Sequence, residues 1–254
     1  MPFELKNRAD NTVLHANNIT GADFNSTCLV ETTLDLNLPF ADAKMHQWCF
    51  DGIRMGYSNW RYYEKVEMDW KGDLDVVTLY FNMKGKTTID NANFDRPFVM
   101  GKYQHNLFYS QTGRGSLKND DLEVNTFMVQ FTKDAFLRIT SDANDVLKRF
   151  GDHVANGRTA ALSKDSLYMD INMLNSINAI VDCKYQHHLK KIFLLSKSME
   201  LLVLQAEAYN TARNAGSQYL KTEYDKDGSS MRANTSLSGW ICRPRYPNWQ
   251  KPWE

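Results

Sequence analysis

Hydrophobic positions in the first half of the chain recur every second residue. Val77, Leu79, Phe81 and Met83 alternate with Val76, Thr78, Tyr80 and Asn82, and Cys49, Ile53, Met55 and Tyr57 alternate with more polar neighbours. A period of two puts each set on its own face of a pleated strand, so these segments predict half-buried β-strands. Another strand is predicted over 124–132, with Phe127, Val129 and Phe131 on one face and Thr126, Met128 and Gln130 on the other. Between the strands lie MDWKGDLD, MKGKTTIDNANFDRP and SQTGRGSLKNDD, whose Gly, Asn and Asp residues suit hairpins and loops. From about Phe24 to Phe131, short strands with regular turn signals predict a mainly antiparallel sandwich or barrel.

The period changes after Lys133. Phe136, Ile139, Val146, Leu147 and Phe150 follow a helical spacing, with Gly151 as the expected stop. A further helix is expected to start near Ser166 and to carry Leu167, Ile171, Leu174, Ile177 and Ile180 at spacings of three and four. A longer one is predicted over 186–213, free of Gly and Pro. In it Leu189, Ile192, Met199, Val203 and Ala206 form one stripe, while Phe193, Leu194, Leu201, Leu202 and Tyr209 spread onto other faces. So wide an apolar surface exceeds what packing on one side requires. It fits a helix buried within one core, and equally a helix whose second face meets another subunit.

Composition adds limits. With 254 residues, 43% hydrophobic, and only 13 Gly and 6 Pro, the chain reads as ordered and long enough to bury a sizeable core. Its 30 Lys+Arg equal its 30 Asp+Glu, so it lacks the net positive field that nucleic-acid or membrane-surface binding exploits. The N-terminal segment is polar and no apolar run is long enough to span a bilayer, which makes a cytoplasmic location the expectation. Cys28, Cys49, Cys183 and Cys242 lie far apart and form no ligand motif, as expected of free thiols in a reducing compartment.

Motifs for catalysis are missing: there is no HExxH, GxSxG, Walker loop or strand-borne GxGxxG. No two of His15, His46, His105, His153, His187 and His188 form the HxH pair by which a small β-barrel holds a metal on one strand face. A non-enzyme without metal or cofactor is the expectation. What remains is a pocket: a barrel with aromatic and polar inward side chains can hold one small ligand. Trp48, Trp60, Tyr62, Tyr80, His105 and Tyr109 are the candidate ligand-binding residues, although each is also an ordinary core or sheet residue type.

QHHLKKIFLLSKSMELLVLQAEAYNT resembles the helix that precedes the DNA-binding domain of AraC-type transcriptional regulators, in the branch containing the pyochelin-responsive regulator. Leu189, Lys190, Ile192, Leu194, Lys197, Glu200, Leu201, Leu202 and Gln205 carry the match. Upstream, FDGIRMGYSNW, VVTLYFNMKG and YQHNLFYSQTGRGSL are similar to strand blocks of that branch, so the likeness spans roughly Cys28 to Asp227. The resemblance implies an α+β chain: a cupin-like antiparallel β sensor barrel over 1–158, a helical dimerisation segment over 159–215, and a linker and irregular tail over 216–254. It implies a small-molecule, siderophore-like effector and a homodimer made through Leu189, Ile192, Phe193, Met199, Leu202, Val203 and Ala206. It also implies DNA contact through two helix-turn-helix units in an intact relative.

That DNA-binding domain has no counterpart in the tail. GSSMRANTSLSGWICRPRYPNWQKPWE has neither helical nor strand period. Restoring one nucleotide in the codon of Asp227, with permissible codon choices, yields apolar residues at helical spacing, a two-proline turn and a T-x-x-E capping box. The expectation is therefore a sensor and dimerisation body whose helix-turn-helix domain has been lost to a frameshift, unable to bind DNA specifically. Two other readings stand beside it: a stand-alone small-molecule-binding cupin, and a cupin-type enzyme with a non-standard metal site at His105.

Overall fold

The period-two segments pair into two antiparallel sheets in the computed structural model, which describes residues 3–8, 11–17, 24–72, 75–143 and 145–218. The smaller, six-stranded sheet runs β2 (Val13–Asn17), β1 (Phe3–Asn7), β6 (Glu67–Gly72), β11 (Gly113–Asn119), β8 (Thr87–Ile89) and β9 (Phe98–Met100). The eight-stranded sheet runs β13 (Ala160–Ala161), β10 (Gln104–Ser110), β7 (Val76–Lys84), β12 (Glu123–Thr132), β5 (Ile53–Tyr62), β4 (Ala41–Phe50) and β3 (Val30–Leu38). Its last member, β14 (Leu167–Tyr168), pairs with β10 off that line. Four helices follow the main strands: α1 (Lys133–Ile139), α2 (Asp145–Ala155), α3 (Ile171–Val181) and α4 (His187–Gln218).

Cys49 and Ile53 belong to neighbouring strands and not to one, because the Asp51-Gly52 pair turns the chain between them. Both residues have positive φ, 47° and 80°, the conformation of a two-residue hairpin turn whose twist suits antiparallel strands. The register then runs without interruption from Phe50 opposite Ile53 to Ala41 opposite Tyr62.

Each long strand of the larger sheet divides its residues between two environments. Val77, Leu79 and Phe81 of β7 lie opposite Phe131, Val129 and Phe127 of β12. With Ile53 and Met55 of β5 they join one buried cluster that includes Phe136, Phe150, Met173, Ile177, Ile180, Leu194, Leu201 and Leu202 of the helices. At about 1.5–3 kcal/mol for each fully buried large side chain, this face is the main source of stability. The alternate residues of the same strands turn toward the smaller sheet. There Phe40, Ala41, Tyr62 and Val124 from one sheet meet Leu5 and Met68 from the other in a second cluster.

The helices depart from the sequence expectation at their ends. Gly151 does not stop a helix but lies inside α2. The break comes earlier, where Thr140 closes α1 by bonding the Phe136 carbonyl through both its N–H and its hydroxyl. The stop comes later, at Gly157 (φ 65°), where Gly157 N–H donates to Val154 O and Arg158 N–H to His153 O. That is the paired-bond geometry in which a glycine terminates a helix. Likewise α3 begins not at Ser166 but after Asp170, whose carboxylate accepts the Met173 N–H at 2.8 Å. Leu167 is a strand residue, opposite His105.

Met1–Thr211 forms one compact unit and Ala212–Glu254 a second, of which only the last turns of α4 are described. The irregular tail, with Cys242 and the codon of Asp227, lies outside the described residues.

Candidate functional site

A cavity of about 350 Å³ lies between the two sheets. Its larger wall is built in rows by strand register. Phe108, Thr78, Gln130 and Arg54 are successive partners across β10, β7, β12 and β5. The next row brings Tyr80, Met128, Gly56 and Gln47 together, and the one after it Thr126, Ser58 and Met45. Trp60 closes that wall, and the smaller sheet supplies Leu5, Trp70, Ile89 and Leu117.

In the middle of the wall Gly56 leaves room for the Met128 side chain, whose Cε would sit 3.1 Å from a Cβ placed there. Aromatic groups bound the ends. Trp60 stacks on Tyr62 with ring centroids 5.5 Å apart, and Phe94, Phe98 and Phe108 make an edge-to-face trio with centroids 4.6–6.0 Å apart.

Polar side chains are spread through the lining, among them His46, Gln47, Tyr57, Asn91 and Ser110. Ser58 and Thr126 hydroxyls bond each other at 2.7 Å. Burial pushes the Tyr80 hydroxyl up to about 12, with Thr87 and Thr126 opposing in part, so it is a neutral phenol at physiological pH. Arg54 is the one cation of Lys or Arg type among the described lining residues, and no Asp or Glu lines the space. Its Nη1 donates to Gln130 Oε1 at 2.8 Å, and Gln130 Nε2 donates to Thr78 Oγ1 at 3.3 Å. Its Nε is buried without a hydrogen-bond partner. Burial holds the guanidinium below its usual value, with Cys49 opposing, yet an arginine this basic stays charged.

Of the six residues named from sequence, Trp60 and Tyr80 line this cavity. Tyr62 stands behind Trp60 in the second cluster. The other three lie on the helix-facing side of the same sheet. Trp48 donates its indole N–H to Glu31 Oε1 at 3.0 Å, and Tyr109 donates to Asp75 Oδ1 at 2.7 Å. His105 pairs in register with Phe81, a core residue, and is buried with neither ring nitrogen in a well-formed hydrogen bond. Parity separates the two groups: residues opposite Val77 or Phe81 share the helix side, and residues opposite Thr78 or Tyr80 share the cavity. Arg54, which also lines the cavity, is not among the six. Its alternation with Ile53 and Met55 was the available signal.

The seven α4 residues expected at a dimer contact also divide. Leu202 and Ala206 are buried in the chain's own core. Phe193 is half-buried beside Tyr185, with ring centroids 5.3 Å apart. Leu189, Ile192, Met199 and Val203 are exposed, three of them by more than 60%. The helix is tied to the β body by Gln205 Nε2 donating to Asn106 O at 3.2 Å and by the Lys190–Glu31 and Lys191–Asp51 ion pairs at 2.7 and 2.6 Å.

Among the described residues no three His, Cys, Asp or Glu side chains converge as metal ligands would, and Cys28, Cys49 and Cys183 are not joined to one another by a disulfide. Among the same residues no helix is long and apolar enough to cross a membrane.

Fold and cavity define a class: an α+β protein whose facing antiparallel sheets enclose an apolar chamber and whose helices cover the outer side of one sheet. Residues 45–220 match the family model described as the regulatory protein PchR N-terminal domain, and the chain belongs to that family. This agrees with the AraC-type resemblance carried by the strand blocks and α4. No curated protein matches the chain in sequence. Similar solved structures include the AraC-like transcriptional activator CuxR, at 10% identity over 73% of this chain and 69% of that one, with a TM-score of 0.40. Others are AerE from Microcystis aeruginosa, at 11% over 41% of this chain and 47% of that one, TM-score 0.32, and a cupin superfamily protein from Desulfitobacterium hafniense, at 10% over 41% and 78%, TM-score 0.27. This chain thus spans about half of AerE. The scores are low, and these likenesses carry no functional weight.

Proposed function

We propose that this chain is the effector-sensing and dimerisation portion of an AraC-type transcriptional regulator. The single observation that carries the reading is an apolar chamber of about 350 Å³, the size of a small-molecule site, inside a member of a regulatory N-terminal domain family. A small effector enters between the sheets and contacts Trp60 and Tyr80. Residues 1–158 hold it, and residues 159–215 pair two copies through the exposed side of α4, where Leu189, Ile192, Met199 and Val203, at spacings of three, seven and four, fall along one helix seam.

The sheet is the wall shared by effector and helices, which gives the signal a short route. Arg54 in the chamber is three residues from Asp51, which pairs with Lys191 of α4. Exposed ion pairs of this kind are each worth about 0–1 kcal/mol, weak enough for an effector to shift the balance between two arrangements of β body and helix. In an intact relative that shift alters how paired DNA-binding domains meet their half-sites. The chain itself acts by binding, as a dimer without sequence-selective affinity for DNA, its C-terminal portion read as the product of a frameshift.

A thermal-shift screen of small aromatic compounds tests the proposal. Compounds that raise the Tm of the full chain are expected to lose that effect in Gly56→Leu and in Met128→Trp, which fill the chamber. A screen in which nothing raises the Tm, or in which both filled variants respond like the parent, contradicts it. A gel shift of the full chain that showed tight, sequence-selective DNA binding would contradict the second half.

A further inference from the structure

We infer that the ligand of the chamber is a flat, largely apolar molecule bearing one carboxylate, and that Arg54 binds that group. The inference rests on the chamber being an effector site and names the chemistry of its occupant.

A guanidinium offers five N–H donors and no acceptor, so a buried one is costly unless acceptors surround it. Arg54 has one such acceptor in Gln130 Oε1, while its Nε is buried and unpaired. No Asp or Glu among the described lining residues neutralises it. A structural arginine in a sheet interior would carry a carboxylate partner, because an unbalanced buried charge is destabilising. Here the missing partner has a place to stand, since Arg54 itself lines the chamber. The Thr78–Gln130–Arg54 chain of hydrogen bonds anchors the guanidinium through Nη1 and so fixes its position at the chamber wall. A planar carboxylate matches the planar donor fork of a guanidinium.

The remaining walls describe the rest of the ligand. Trp60, Trp70 and Phe108 offer ring faces and edges, against which a planar group packs. The hydroxyls of Ser58 and Thr126 are engaged with each other. The chamber therefore selects for flatness and apolar surface, with the single charge placed at the Arg54 end. The neutral phenol of Tyr80 adds no competing charge.

Calorimetric titration of the full chain with 2-naphthoate and with its neutral counterpart 2-naphthamide tests the inference, using the parent and Arg54→Gln. The parent is expected to bind the carboxylate about ten-fold or more tighter than the amide, the range of one charge-assisted pair. Arg54→Gln should erase that preference, and Arg54→Lys should restore part of it through charge without the planar fork. Equal binding of the two compounds to the parent, or an unchanged preference in Arg54→Gln, overturns the role of Arg54 and leaves the chamber as a binding site. Failure of the parent to bind either compound counts against both the inference and the reading beneath it. Should Arg54→Gln not fold, as judged by its thermal melt, the carboxylate-to-amide ratio of the parent still decides.

Discussion

His105 shows how one strand position can be costly without touching the chamber. Buried among core residues, its imidazole is held down to about 4, mainly by desolvation, while the Asp170 carboxylate and the Tyr168 backbone oppose the fall only in part. A histidine whose value is lowered on folding binds its proton more readily in the unfolded chain, so acid favours unfolding. Stability is full above the unfolded value near 6.5 and falls as the pH drops toward about 4. The total loss below both values is on the order of 3 kcal/mol. His105→Leu should flatten this acid dependence, which urea denaturation midpoints at neutral and acidic pH will show. A variant that retained the full dependence would mean that other groups set it. The same residue illustrates what sequence could not reveal: an imidazole on a strand suits a ligand site and a core equally, and only register with Phe81 assigns it to the core. Arg54 is the converse case, a charge at an interior position whose significance emerges only when no acidic neighbour is found.

At the scale of elements, the alternations in β7 and β12 were legible to the residue. Val77, Leu79 and Phe81, and Phe127, Val129 and Phe131, form the apolar side as read, because a period of two has one physical interpretation. Which side would carry the chamber was not legible, since both faces of a sheet between helices and a second sheet are enclosed. β1 and β2 are not predicted from the sequence: each is only five residues long, and β1 is held in the sheet by β6, a partner far along the chain. In α4 the apolar surface divides, with Leu194, Leu201, Leu202 and Ala206 buried in the chain's own core and Leu189, Ile192 and Val203 exposed. Leu202→Ala should cost about 2–5 kcal/mol, as a buried leucine leaving a cavity does. Val203→Glu, on the neighbouring exposed position, should leave the Tm nearly unchanged and convert dimer to monomer in sedimentation equilibrium. A Val203→Glu chain that still dimerised would remove the seam from the account.

For the molecule as a whole, the larger sheet does two tasks at once. Its outer side builds the helix-covered core and its inner side builds the chamber, so an occupant presses on the same strands that α4 is fastened to by Lys190, Lys191 and Gln205. The order of strands before helices was readable because the hydrophobic period switches near Lys133. The chamber was not, because a cavity is defined by what two distant segments fail to fill, here strands of the larger sheet and the smaller sheet's Trp70 and Leu117. The most direct test is where a small molecule lodges, seen by crystallography of the full chain grown with 2-naphthoate. The account predicts electron density for one naphthoate between the sheets, bounded by Trp60 and Trp70. Density confined to the outer surface or to the helix face, with the chamber filled only by solvent, would contradict it.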